Sequence, residues 1–221
     1  MAGERKHALV VRGGWSGHEP VAASDRYAAE LARRGWSVEV SETLDSYLDA
    51  EALARTDLVV QCWTMGGISA AQAAGLSGAV RAGTGLAGWH GGIVDSFREE
   101  TGYQLLIGGQ FVHHPREFTR YQVRPTAAGR EHPALAGEEP FTVTTEQYYL
   151  HVDPAVLVLA DTVFTDDPDV PELAGTVVPV VWARTWGAGR VFVSTLGHRP
   201  ADLELPEVDR LTRRGLLWAA R

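Results

Sequence analysis

The chain has 221 residues, 45% hydrophobic and 22% charged, which suits one globular domain with a sizeable core over residues 1–221. Its 20 Lys and Arg face 28 Asp and Glu, a formal net charge of -8 without a basic cluster, which excludes a phosphate-tracking nucleic-acid surface. Cys62 is the single cysteine, so an intrachain disulfide and a cysteine zinc knuckle are excluded.

The opening run Met1 to Lys6 carries no apolar leader, and no segment approaches the roughly 20 apolar residues of a membrane span. A cytoplasmic protein with no membrane partner is expected. His7 to Val11 then reads as a buried strand ended by Arg12-Gly13-Gly14, and Pro20 to Arg34 as a helix closed by Gly35. Trp36 to Val40 alternates like a strand, a short helix surrounds Leu53, and Asp57 to Trp63 is a third strand. Ser69 caps a helix to Arg81, and Gly85 to His90 forms a fourth strand that meets Gly91-Gly92. Such alternation predicts an α/β fold, with a parallel sheet core between two layers of helices.

The second half is richer in strands: Phe118 to Pro125, Phe141 to Thr145, Val156 to Phe164, Val177 to Thr185 and Arg190 to Thr195. Gly187-Ala188 makes a hairpin turn, and Leu205 to Ala220 an amphipathic closing helix. These strands predict extra antiparallel pairs beside the parallel core. Gly108 to Pro115 reads as a loop carrying two consecutive histidines.

Ligands of parallel sheets gather beyond the carboxyl ends of the strands. Three of those ends are glycine-rich here: Gly13-Gly14, Gly66-Gly67 and Gly91-Gly92. Six of eight histidines fall at strand ends or in loops: His18, His90, His113, His114, His151 and His198. Singly, each is an ordinary polar residue, but several on one rim point to chemistry. Gly88-Trp89-His90-Gly91-Gly92 has the spacing of a nucleophile elbow with His in the middle, where it can act as base or metal ligand. His7 and His132 read as structural. Gly13 to Gly17 lacks both dinucleotide and P-loop spacing, so no nucleotide cofactor is expected. Asp161 to Asp169 lacks EF-hand spacing and reads as a solvated loop.

The chain resembles the ThuA-like (trehalose utilisation) family. The segments that carry the resemblance are Arg12 to Trp15 with His18, Gly88 to Gly92, Gly108 to Phe111 with His114-Pro115, Glu146 to Tyr149 with Asp153-Pro154, and Pro179 to Trp182 through Gly197-His198. The resemblance implies the three-layer fold of class I glutamine amidotransferases, similar to flavodoxin, with His90 where that superfamily has its nucleophilic Cys. Cys62 ends an earlier strand and cannot replace it, so glutamine hydrolysis is excluded. The family's ties to trehalose and 3-keto sugars imply a small carbohydrate as partner. Trp15, Trp63, Trp89, Tyr148 and Tyr149 would line a sugar pocket, with His113 and His151 as further substrate contacts.

Three functions remain open on these residues. In the first, a lyase, hydratase or hydrolase holds a divalent transition metal (Zn, Mn, Fe or Ni) through His90, His114 and His198 with Glu146, while His18 or Tyr149 serves as acid or base. In the second, a metal-free isomerase uses His and Glu146 alone. The third is a non-catalytic sugar-binding accessory protein. A homodimer is compatible with each.

Overall fold

The structure, a computed structural model, describes residues 5–116 and 118–221; the first four residues of the polar opening run lie outside it. Its first half alternates as the sequence predicts. β1 (His7–Gly14) leads through a single 3-10 turn (Ser16–His18) to α1 (Pro20–Arg33), then β2 (Ser37–Ser41), α2 (Ala50–Arg55) and β3 (Leu58–Thr64). α3 (Ala70–Arg81) opens on a capping box, with Ser69 Oγ accepting from Gln72 N–H and the Gln72 side chain accepting from Ser69 N–H. β4 (Gly85–Trp89) follows, then the short helices α4 (Gly91–Val94) and α5 (Thr101–Ile107).

Next come β5 (Gly109–His113), β6 (Thr119–Pro125), α6 (Ala127–Glu131), β7 (Phe141–Thr145) and β8 (Tyr149–Val152). β9 (Leu157–Val163), β10 (Val177–Trp186), β11 (Gly189–Ser194) and α7 (Pro206–Ala219) complete the chain. The main sheet runs β2-β1-β3-β4-β11-β10-β9-β6-β7. Its first five strands are parallel and the remaining pairs antiparallel.

Helices cover both faces, which is why the central strands are apolar along their whole length. Ala8, Val10, Cys62, Ala87 and Trp89 point toward α1 and α7, while Leu9, Val11, Val59 and Leu86 point toward α3 and α5. Gly108 to Pro115 is not a loop: Gly109–His113 pairs antiparallel with β8 in a separate two-stranded sheet. The run Gln110-Phe111-Val112 is too short to announce a strand by its period. The Asp161 to Asp169 stretch is not simply solvated either. Asp161 lies in β9, and the buried Asp167 accepts a hydrogen bond from His113 Nε2 at 2.8 Å. Among the described residues no helix is long and apolar enough to cross a membrane.

Strand direction decides where the loops go. β1, β3, β4 and β11 are parallel, so all four end on one edge. Four antiparallel pairings, from β11 through β10, β9 and β6, bring β7 into the same direction, so Thr145 ends there too. Strand order alone would hold β7 four places from β11, about 19 Å away. β6 joins β9 through only two residue pairs, and the residues after β7 nonetheless reach the histidines: Glu146 Oε2 is 3.0 Å from His90 Nε2.

Gly88 shows how tightly that edge is packed: a Cβ there would stand 2.5 Å from the Gln61 carbonyl oxygen and 2.9 Å from Ile93 Cβ. Gly88→Ala is expected to cost about 1–3 kcal/mol, read as a lower urea midpoint. An unchanged midpoint would contradict this packing.

Candidate metal centre

His90 is the first residue past β4 and has φ 47° and ψ -145°, a conformation that costs about 1–3 kcal/mol for a residue with a side chain. Backbone bonds hold it on both sides: its N–H donates to the Ser194 carbonyl at 2.7 Å, and its carbonyl accepts from Ile93 and Val94. The glycines of the elbow have separate reasons to be there. A Cβ at Gly92 would stand 2.9 Å from Cys62 Cα, and one at Gly91 2.3 Å from the His18 ring. Gly91 therefore makes room for His18 against the elbow.

The imidazole of His90 is fully buried and its tautomer follows from its partners. Nδ1 lies 2.8 Å from the Thr195 carbonyl oxygen, which can only accept, so Nδ1 carries the hydrogen. Nε2 presents a lone pair. That lone pair faces the Tyr148 hydroxyl at 2.8 Å, Glu146 Oε2 at 3.0 Å and His198 Nδ1 at 3.3 Å. His198 Nδ1 also lies 3.1 Å from Glu146 Oε2. His18 completes the group, its Nδ1 held by Thr64 Oγ1 at 2.9 Å. One donor atom from each of His18, His90, Glu146 and His198 lies within 4.8 Å of all the others.

Donors about 2.0–2.2 Å from a tetrahedral ion stand about 3.3–3.6 Å apart; the His90, Glu146 and His198 atoms are 3.0–3.3 Å apart, and His18 brings the set to within 4.8 Å. Protonation also suits an ion. Burial, reinforced by the charges of His90 and His198, pushes His18 down to about 3. Burial likewise lowers His90, against the opposing pull of Glu146. For Glu146 burial acts upward, but the hydrogen bond from His198 leads the opposing effects and holds it well below the usual carboxylate range. At neutral pH the group thus contains neutral His18 and His90 imidazoles beside an anionic carboxylate.

Other side chains fix these donors in place. Buried Gln147 donates to Thr162 Oγ1 and the Val163 carbonyl and accepts from Thr165, which pins the segment bearing Glu146 and Tyr148. Asp202 ties two distant loops together. Its carboxylate accepts from Thr145 Oγ1 at 2.6 Å, beside Glu146, and from Arg199 Nη2 at 2.9 Å, beside His198.

Several expected site residues stand elsewhere. His114 lies a step outside the four donors, Nε2 3.8 Å from Glu146 Oε1, and His18 takes its place. Tyr149 packs on Phe164, whereas its neighbour Tyr148 meets His90. His151 is exposed, and His113 is engaged by Asp167. Trp89 is 1% exposed against Tyr27, a core residue and not a pocket wall. Trp63 lies over Gly13. Trp15 does reach the rim, half-exposed and edge-on to His18 with the ring centroids 4.8 Å apart. Gln147, Thr64 and Asp202 carry no sequence signal for these roles. Cys62 is buried, and burial pushes its thiol up to about 12.

Fold and site together define an α/β domain with an imidazole–carboxylate donor cluster at the carboxyl edge of a mostly parallel sheet. The chain belongs to the ThuA family, described as trehalose utilisation, whose model matches residues 7–219. Two crystal structures of ThuA-like proteins are similar to it. The one from Bacteroides uniformis is 16% identical, with 99% of this chain and 93% of that one covered at a TM-score of 0.76. The one from Parabacteroides merdae is 15% identical, with 98% and 90% covered at 0.77. A β-galactosidase from Bacillus circulans is 12% identical, with 97% of this chain and 30% of that one covered at 0.56. At these identities the likeness shows the fold alone. No curated protein matches the chain.

Asp202→Asn keeps the size of the side chain but weakens its hold on both loops. It is expected to lower Zn²⁺ or Mn²⁺ affinity about 10- to 100-fold, measured by chelator competition, with the circular dichroism spectrum unchanged. Wild-type affinity in this variant would show that Asp202 does not support the donors.

Proposed function

We propose that this protein is a metal-assisted lyase, hydratase or hydrolase acting on a 3-keto disaccharide or glycoside, such as an oxidised trehalose derivative. The observation that carries the reading is the convergence of three imidazoles and one carboxylate within 4.8 Å, with the His90 lone pair turned toward Glu146. Membership of a trehalose-utilisation family supports a carbohydrate substrate. The strained elbow supports kinship with class I glutamine amidotransferases, and His at its apex with a buried, unreactive Cys62 argues against thioester chemistry.

The donors suit Zn, Mn, Fe or Ni. When bound, such an ion would polarise the keto oxygen as a Lewis acid. The chain's own residues supply the proton transfers. A keto group at C3 acidifies the C2–H bond. His114 donates its Nδ1 hydrogen to the Pro115 carbonyl at 2.6 Å, which leaves Nε2 as a base beside Glu146. His114 takes the C2 proton, and the C–H electron pair passes through an enolate into a C1–C2 double bond. The glycosidic C1–O bond breaks with its electrons, and the departing oxygen recovers the proton from His114. Addition of water across the double bond then gives the hydrolysed sugar.

Tyr148 is the donor to the oxyanion. Burial first, then the Glu146 charge, holds its phenol well above the usual tyrosine value, so it stays protonated and can donate as charge develops. In this reading Tyr148 and His114 replace Tyr149 and His18 as the acid–base pair.

With 3-keto-trehalose as substrate, Tyr148→Phe is expected to lower kcat about 100-fold with bound metal retained. His114→Gln should lower it by about 10²–10⁴, and Tyr149→Phe should leave it unchanged. Turnover that survives both Tyr148→Phe and His114→Gln, or that is equal without metal, would contradict the assignment.

A further inference from the structure

The same edge of the sheet carries a cleft of about 590 Å³ that the mechanism does not use, lying between the turn after β3 and the turn after α4. That volume is within the range of small-molecule sites. The cleft and the donor cluster are neighbours. Met65 lines the cleft and follows Thr64, which holds His18. Across from it, the Arg98 guanidinium lies over the Phe111 ring at 5.2 Å, and Phe111 packs 4.6 Å from Tyr148, the partner of His90.

The cleft is built rather than accidental. Each of its two turns has a non-glycine residue at positive φ, Met65 at 58° and Phe97 at 49°. Met65 N–H donates to the Asp95 carbonyl at 2.9 Å and locks one turn to the other. Beneath them Ser96 Oγ donates to the Trp63 carbonyl and accepts from Gln61, while the Gln104 amide donates to the carbonyls of Ser96 and Phe97. Strain of this kind persists only where the surroundings over-determine it, and it collects at ligand sites.

Charge narrows the ligand. Arg98 is already neutralised by the buried Asp95 through hydrogen bonds of 2.5 and 3.0 Å. Glu99 and Glu100 therefore leave the wall net negative, in a chain of net charge -8. A phosphate or carboxylate is repelled there, whereas hydroxyls find carboxylate acceptors, the exposed Gly66-Gly67 backbone and the edge of Arg98. Ile68 and Met65 give an apolar wall for the C–H face of a ring.

Resting on the carbohydrate reading above, we propose that this cleft binds the second ring of a neutral, unphosphorylated disaccharide whose first ring lies at the histidine cluster. Gly67 offers a clean way to block it, since a Cβ there meets nothing within 4 Å. The test is calorimetric titration of the full chain with methyl α-glucoside, trehalose and trehalose 6-phosphate. Wild type is expected to bind trehalose at least about tenfold tighter than methyl α-glucoside, and trehalose 6-phosphate more weakly than trehalose. Gly67→Trp should bring trehalose down to the level of methyl α-glucoside without changing bound metal. The surface variant Glu99→Gln, which adds no bulk, should narrow the gap between trehalose and its phosphate.

Equal affinity for trehalose and methyl α-glucoside in wild type would overturn the cleft assignment and leave the carbohydrate reading standing. So would tighter binding of the phosphate, or a folded Gly67→Trp that keeps its trehalose affinity. Binding of none of the three sugars would overturn the cleft assignment, while the carbohydrate reading stands or falls on turnover of 3-keto-trehalose. A preference for trehalose in a protein that takes up no metal would uphold the cleft and remove only the metal.

Discussion

The site depends on a buried imidazole whose lone pair is turned toward a carboxylate. His90 cannot rotate out of this contact: its Nδ1 hydrogen is committed to the Thr195 carbonyl and its backbone is fixed in a strained elbow. Two electron-rich groups, Nε2 and Glu146 Oε2, are thus 3.0 Å apart where little water can screen them. Tyr148 relieves part of the repulsion by donating to Nε2, and a divalent ion between His18, His90, His198 and Glu146 would relieve it fully. The surrounding devices all maintain that opposition. Gly91 admits His18, Gln147 anchors Glu146, and Asp202 joins the loops of Glu146 and His198.

The fold was largely legible because its central strands are buried on both faces and its helices carry ordinary stop signals. The Ser69 cap, the Gly88 to Gly92 elbow and the neighbouring strands that deliver His90 and His198 could all be read from residue type and spacing. What could not be read depends on long-range geometry or on a single step of register. Glu146 follows β7, the far edge strand of the sheet, and nothing local to Thr145 or Glu146 announces that it meets His90. Tyr148 and Tyr149 differ by one position, and one position exchanges the two faces of a strand. The same alternation places Trp89 on the α1 side, inside the core. His18 and His114 exchange places because an imidazole in a loop has no period to give its direction away.

The second half of the sheet explains how one scaffold can acquire such a site. The parallel half supplies the elbow and the His18 turn, which any chain of this topology could place. The antiparallel half delivers Glu146 and Tyr148 to His90. Chemistry then follows from the side chains at that edge and not from the fold itself, which also occurs within a much larger β-galactosidase chain.

The most direct test of the central claim is elemental analysis of protein purified without a histidine tag, wild type beside His90→Ala. The account expects about one equivalent of a transition metal in wild type and its loss in the variant, with the fold retained. Metal-free protein in both samples, even after incubation with Zn²⁺ and Mn²⁺, would contradict it.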